Sequence, residues 1–276
     1  MDRIRLIASD MDATLLDEQS QLPADFEETI HALAELGIRF APASGRPLYT
    51  LEAMFPTLQD ELVFIGDNGG AIRWKGQNLF TSEMSPEGWR ALNRLTREQG
   101  DIAVLCGLES AYVERPFAVH DAVLRHFYTK IEYVDRLEDV AAPADKFTIY
   151  LPQHNAQQAY DTVYASQRSI YSVAVAGECW VDIMNPGVHK GAALQTLGQL
   201  WGLPSESMMA FGDTYNDAEM LQTVRYGFLV ENGSEPLRQK VPFLAPSHRE
   251  AGVMQVLHRV LAQNGCVCPE DFVPAH

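Results

Sequence analysis

The chain is predicted to be an α/β protein: a doubly wound, mostly parallel sheet that carries an inserted α+β domain. Three observations lead there. Short apolar runs end abruptly in polar clusters, and amphipathic helical stretches fill the intervals between them. That alternation lapses in the middle of the chain and then resumes.

Composition bounds the reading. The chain has 276 residues, of which 46% are hydrophobic and 21% charged, so a core domain plus a smaller one is expected. Its 21 basic and 37 acidic side chains leave a net charge of −16, which repels polyphosphate backbones and argues against nucleic acid as a partner. A small anionic substrate remains compatible where a metal or a few local cations reverse the sign. No apolar run reaches the roughly eighteen residues of a membrane span. The start, MDRIRLIASD, turns acidic too soon for a signal peptide. Cys106 and Cys179 stand alone in apolar runs, and Cys266 and Cys268 have no partners at zinc spacing. Free thiols in a reducing cytoplasm, in a monomer or small homo-oligomer, are the expectation.

The elements follow in order. Ile4 to Ser9 is a buried strand that stops at Asp10. Pro23 opens a helix whose Phe26, Ile30, Leu33 and Leu36 recur at helical spacing, and Gly37 stops it. Ile38 to Ala43 is a second strand, ending at Ser44-Gly45-Arg46-Pro47; Leu62 to Ile65 is a third, ending at Asp67-Asn68-Gly69-Gly70. The rhythm changes near Thr81. Ser85 caps a helix to Gln99, strand-like runs cover Ile102 to Cys106 and Tyr112 to Glu114, and a helix lies near Phe117 to Phe127. Phe147 to Leu151 is strand-like, Asn155 to Ser166 helical, and Tyr171 to Ala176 and Trp180 to Met184 strand-like again. After Asn185-Pro186-Gly187 come a helix from Lys190 to Trp201, a strand from Met208 to Phe211, a helix from Asn216 to Val224, a strand from Tyr226 to Val230 and a helix from Glu250 to Leu261. The stretch from Asn264 to His276 has little periodicity and is expected to fray or lie on the surface. The core is therefore assigned to residues 1–83 and 185–276, and the insert to 84–184.

Four polar clusters follow strands or open helices: Asp10-Met11-Asp12-Ala13-Thr14, Ser44-Gly45-Arg46, Lys190-Gly191, and Gly212-Asp213-Thr214-Tyr215-Asn216-Asp217. Open α/β sheets bind ligands beyond the carboxyl ends of their strands, and a helix amino end there favours phosphate. Each cluster alone reads equally as a turn, a cap or a solvated lysine. All four in these topological places point to phosphoryl transfer through an aspartyl intermediate. Asp10, fixed at a strand end, is the candidate nucleophile. Asp12, on the turn beside it, is the candidate acid for the departing alcohol and base for the attacking water. A dianionic phosphate beside carboxylates requires a hard cation, so Mg²⁺ on Asp10 and Asp213 is expected, with Lys190 neutralising remaining charge. Ser44 and the following amides are candidates for holding phosphoryl oxygens. Arg46 reads equally as a phosphate contact or a structural ion pair. Asn68-Gly69 reads as a turn, and His189 as a helix cap.

These segments resemble the four motifs of the haloacid dehalogenase-like phosphatases: Asp10-x-Asp12-x-Thr14-Leu15-Leu16, Ser44-Gly45-Arg46-Pro47, Lys190-Gly191 and Gly212-Asp213-x-x-Asn216-Asp217. The insert between the second and third is similar to the cap of the Cof-type branch, and stretches such as Cys106 to Val113 look like its bacterial sugar phosphatases. The resemblance implies a Mg²⁺-dependent phosphomonoesterase acting on small phosphorylated substrates, sugar phosphates above all, with Asp10 as nucleophile and Asp12 as acid/base. It implies metal bound by Asp10, the Asp12 main-chain carbonyl and Asp213. Met11, Ser44, Gly45, Arg46, Lys190 and Asn216 would contact the phosphoryl group or substrate, with Thr14 and Asp217 in support. A phosphosugar mutase or phosphoryl transferase, and a receiver-like signalling module, are the alternative readings. One departure stands out: the family usually has glycine where this chain has Ala13, so a positive φ there would be strained.

Overall fold

The computed structural model of the chain describes residues 1–276. Its main layer is a nine-stranded sheet. In spatial order the strands are Val273–Pro274, Phe243–Ala245, Tyr226–Val230, Met208–Gly212, Leu6–Asp10, Arg39–Ala43, Val63–Gly66, Ala71–Trp74 and Gln77–Thr81. The six central strands are parallel, and antiparallel partners close both edges. Both faces of the central strands are covered, which is why every residue of Leu6–Asp10, Met208–Gly212 and Tyr226–Val230 is buried. One face packs on Phe26, Ile30 and Leu33 of the helix Phe26–Glu35 and on Val253, Leu257 and Val260 of the helix Gly252–Ala262. The other packs on Ala193, Leu194 and Leu197 of the helix Lys190–Trp201. Each such large side chain contributes about 1.5–3 kcal/mol by leaving water.

A second, six-stranded sheet is built only from Ile102 to Met184. Its order is Ser172–Val175, Trp180–Met184, Ala144–Tyr150, Ile102–Gly107, Ala111–Glu114 and Ile131–Val134. Alternation of side chains gives it two different faces. Leu105, Phe147, Ile149, Val181 and Ile183 pack on Trp89 and Leu92 of the helix Pro86–Gln99. Lys146, Thr148, Trp180 and Asp182, from the intervening positions, face the cavity between the two sheets. Where the chain crosses between the layers, Asn185 donates to Ser82 O at 3.2 Å and Glu83 O at 2.8 Å, clasping the outgoing and returning segments together. No helix is long and apolar enough to cross a membrane.

Three expectations are corrected. The first helix begins at Phe26, because Pro23 instead opens a turn whose carbonyl takes the Phe26 amide at 3.0 Å. The helix expected over Asn155 to Ser166 is only Ala156–Asp161: the Thr162 hydroxyl bonds back to Gln158 O at 2.7 Å and β-branched Val163 follows. The terminal segment does not fray. Cys266–Val267 pairs with Asp2–Arg3, Val273–Pro274 pairs with Phe243–Ala245, and the Phe272 ring packs 5.0 Å from Phe228 and 5.8 Å from Tyr226. Two-residue strands carry no period to read, so only the packing reveals them. The edge hairpin of Ala71–Trp74 and Gln77–Thr81 also went unread, although Lys75-Gly76, with φ of 50° and 72°, is the turn such hairpins use.

Phe272→Ala is expected to cost about 3 kcal/mol in urea denaturation, as buried phenylalanine truncations do. A loss under about 0.5 kcal/mol would show that the terminal segment is not part of the core.

Candidate active site

Three neighbouring strands deliver the polar clusters to one place. Leu6–Asp10 lies between Met208–Gly212 and Arg39–Ala43, with Phe211 opposite Ser9 and Ala43 opposite Asp10. Asp10, Asp213 and Ser44 therefore emerge side by side. The chain leaves Leu6–Asp10 toward one side of the sheet and later returns on the other, so this is also the point where the strand order reverses. The helix Lys190–Trp201 aims its amino end at the same spot. Gly69 permits that approach: a Cβ there would lie 2.6 Å from His189 O, and its φ is 99°. His189 caps the helix, its Nδ1 accepting from the Ala192 amide at 3.1 Å, which is the capping role read from the sequence.

A fully buried lysine organises the acids. Lys190 Nζ donates to Asp10 Oδ1 at 2.5 Å and to Asp217 Oδ1 at 2.7 Å. Asp217 Oδ2 accepts the amides of Asp213 and Thr214 at 3.0 and 3.2 Å, which ties the Met208–Gly212 strand end to the lysine. Gly212 is needed there, since a Cβ would lie 2.5 Å from the Asp217 side chain. Thr14 and Thr214 both donate to Asp213 Oδ1 at 3.4 Å. Burial pushes Asp10 up to about 8 and Asp213 up to about 6; neighbouring carboxylates add to both shifts and Lys190 opposes them. Burial also works against the Lys190 charge, but Asp10 and Asp217 outweigh it and hold that group above its ordinary range.

Three carboxylates against one cation are an electrostatic deficit. Carboxylate oxygens of Asp10, Asp213 and Asp217 lie within 4.8 Å of one another. Lys190 and two amides occupy Asp217, whereas Asp10 Oδ2 and Asp213 Oδ2 receive no protein donor. Two free carboxylate oxygens in a charge-deficient, oxygen-only cluster fit a hard divalent cation.

The other residues named from the sequence fall into three groups. Asp12, Ser44, Gly45, Arg46 and Asn216 line the cavity with Asp10 and Asp213. Lys190, Thr14 and Asp217 stand behind its wall, with the Lys190 ammonium on Asp10 and Asp217. Met11, expected to bind substrate, has its side chain in the apolar core, which leaves only its main chain for that role. Arg46 grips Asp12 with both arms, at 2.6 and 3.0 Å, so the ion-pair reading of Arg46 describes this conformation. Ser44 Oγ accepts the Arg46 amide at 3.1 Å, keeping its own proton available. Ala13 does adopt a positive φ, 56°, the conformation a glycine takes at no cost.

The cavity has a volume of about 990 Å³ and spans both layers. Phe127, Tyr128, Tyr160 and Trp180 of the insert also line it. Lys146, Thr148 and Asp182 line its middle and were missed in the sequence. A signal existed: all three are polar residues at alternating positions of apolar strands, on one face of the sheet. Asn68, read as a turn, makes the turn at φ 55° and also donates to Asp182 Oδ2 at 3.0 Å.

The sequence matches the haloacid dehalogenase-like hydrolase family over residues 7–257. It is 31% identical over 262 residues to the 5-amino-6-(5-phospho-D-ribitylamino)uracil phosphatase YbjI of Escherichia coli, covering 94% of this chain and 96% of that one. It is 30% identical to the HMP-PP phosphatase of Cronobacter sakazakii, covering 87% and 89%. A crystal structure of a Streptococcus mutans protein superposes with a TM-score of 0.85 at 28% identity, covering 94% of this chain and 99% of that one. The doubly wound core with an inserted α+β sheet is shared with these structures.

Ala13→Gly relieves roughly 1 kcal/mol of left-handed strain and returns part of it to a freer unfolded chain. The expected Tm is unchanged or raised by up to about 3 °C. A larger fall in thermal melting would mean that the Ala13 methyl is packed rather than strained.

Proposed function

The chain belongs to the haloacid dehalogenase-like hydrolases of the Cof-type branch and is a phosphomonoesterase; on that premise we propose that it hydrolyses small sugar or polyol phosphates through a phosphoryl group carried briefly by Asp10, with Mg²⁺ at the acidic cluster. The observation that carries this reading is the Asp10–Lys190–Asp217 bridge, which holds one oxygen of Asp10 and leaves the other open to the cavity.

The chemistry follows from the placement. The free Asp10 oxygen attacks phosphorus as the ester P–O bond breaks, and Asp12, once released from Arg46 and protonated, gives its proton to the departing alkoxide. Water then attacks the acyl phosphate, Asp12 takes a proton from it, and the phosphorus–Asp10 bond breaks to return the carboxylate. Ser44 Oγ and the Gly45 amide, which bonds no protein acceptor, are the donors for the phosphoryl oxygens. Asp10, Asp213 and the Asp12 carbonyl would hold Mg²⁺, which would supply charge neutralisation for the transferring phosphoryl group. Lys190 orients Asp10 from behind, and Asp217 orients Lys190.

Two further features support a leaving group larger than a two-carbon acid. The cavity is at the upper end of ordinary ligand pockets, about 300–1,000 Å³. Its aromatic lining from the insert suits a planar ring joined to the phosphate by a hydroxylated chain, the kind of molecule named for the Escherichia coli relative. The insert would act as a cap that excludes water and selects that group. All four cysteines are unpaired, in keeping with a reducing compartment.

Asp10→Asn is expected to abolish both turnover and the acid-stable phosphoenzyme; ordinary activity in that variant would overturn the assignment. Asp12→Asn should lower kcat by about 10²–10⁴-fold on alkyl phosphates and much less on aryl phosphates, whose leaving groups need no proton. Equal losses on both would remove Asp12 as the acid. EDTA should silence phosphate release from a panel of sugar, polyol and nucleotide phosphates. Mg²⁺ should restore it and raise the Tm by relieving repulsion among the three carboxylates.

A further inference from the structure

The Ser44-Gly45-Arg46 loop has each of its three carbonyls occupied by a different donor. Ser44 O takes the Asn68 amide at 2.9 Å and Arg46 O takes the Asp67 amide at 2.9 Å. Between them, Gly45 O takes Lys146 Nζ at 2.6 Å. Two of the donors belong to the core sheet. The third reaches across from the inserted sheet, 101 positions later in the chain.

Lys146 is built into that place. A β-bulge falls between Ala144 and Lys146, and it shifts the side-chain parity of the strand. Ala144 and Phe147 face the helices of the insert, while Asp145 and Lys146, adjacent in sequence, are both turned toward the core. The ammonium is 2% exposed, 3.0 Å from Asp67 Oδ1 and 3.7 Å from Asp182 Oδ2. Asp182 is itself held by Thr148 at 2.7 Å and by Asn68 at 3.0 Å. Burial pushes the Asp67 and Asp145 carboxyls above their ordinary range, and the Lys146 ammonium opposes the shift in both.

The Gly45–Arg46 peptide is thus held at both ends. Its oxygen is on Lys146, and its N–H is on Ser44 Oγ at 3.1 Å. That N–H occupies an acceptor site on Ser44 Oγ and leaves the hydroxyl proton free to donate. Gly45, without a Cβ, would let the peptide rotate if either end were released. We propose that Lys146 is a positioning residue for phosphoryl binding: by donating to Gly45 O it locks the peptide that orients Ser44, so the phosphate loop is complete only while the insert is docked on the core. This rests on the phosphatase reading for what the loop binds. Lys146 gives that reading an assignment on the insert, coupling closure of the cavity to the alignment of its phosphate donors through one hydrogen bond.

The test is the binding of inorganic phosphate to the Mg²⁺-loaded protein by calorimetry, together with kcat/KM for an aryl phosphate and a sugar phosphate. Lys146→Met removes the donor, and Lys146→Arg keeps one. Removing a single partner of a buried ionic cluster can unfold a protein, so a Lys146→Met/Asp67→Asn/Asp182→Asn variant removes the ammonium together with the two carboxylates paired with it. The methionine variants are expected to bind phosphate about tenfold or more weakly, the loss typical of a hydrogen bond to a charged group. Their kcat/KM should fall by a similar factor for both substrates, and Lys146→Arg should recover most of it. Native phosphate affinity in the folded triple variant would overturn the proposal. So would a loss confined to the sugar phosphate, which would make Lys146 a leaving-group contact. Calorimetry needs no turnover: a wild-type protein that binds phosphate but releases none from any ester defeats the phosphatase reading and still reports on Lys146. A wild type that binds no phosphate overturns both.

Discussion

A buried ammonium between two buried carboxylates is the contact on which the rest of the site depends. Lys190 has no solvent to fall back on, so its charge is tolerable only while Asp10 and Asp217 stay within hydrogen-bond reach. That requirement fixes the distance between the first strand's end and the amino end of a helix almost two hundred residues later. Asp217 passes the constraint on through the amides of Asp213 and Thr214, which sets the height of the neighbouring strand end. One cation against three acids still leaves excess negative charge beside a cavity. The site is therefore rigid in its geometry and unbalanced in its charge, a combination suited to taking up a cation and a phosphate together.

The same logic recurs, differently proportioned, where the two layers meet. Lys146 is nearly as buried as Lys190, and it too lies among aspartates. Its hydrogen bond, however, goes to a main-chain carbonyl of the opposite layer. One lysine builds the site from within the core, while the other joins the insert to it. Beside Lys146 runs the Asp67-Asn68 turn, whose two consecutive positive φ values, 50° and 55°, store strain in residues that bond both the Ser44 loop and the insert. Backbone in that conformation persists only where its surroundings demand it, and here the amides bonded to Ser44 O and Arg46 O and the side chains bonded to Lys146 and Asp182 do.

Much of this was legible from residues alone because it is local. Asp10, Ser44 and Asp213 each close an apolar run, and a strand's end is visible in a sequence wherever a buried run meets a charge. The cap on His189, the start at Pro86 and the strain at Ala13 follow from side-chain chemistry within a few residues. What escaped is non-local. Val273–Pro274 is a strand because Phe243–Ala245 lies beside it, and Phe272 is buried because Tyr226 and Phe228 are there to receive it. Two-residue strands have no pattern of their own.

The sequence by itself determined the order of strands and helices, the family, and the acids that close the strands, because each depends on burial and periodicity within one segment. Only the tertiary structure decided that Lys190 bridges Asp10 and Asp217, that Arg46 holds Asp12, and that Lys146 and Asp182 belong to the cavity. The reason is physical. A charged side chain's partner is chosen by where burial has removed water, and that is set by segments a hundred or more residues apart coming together, which no local pattern records.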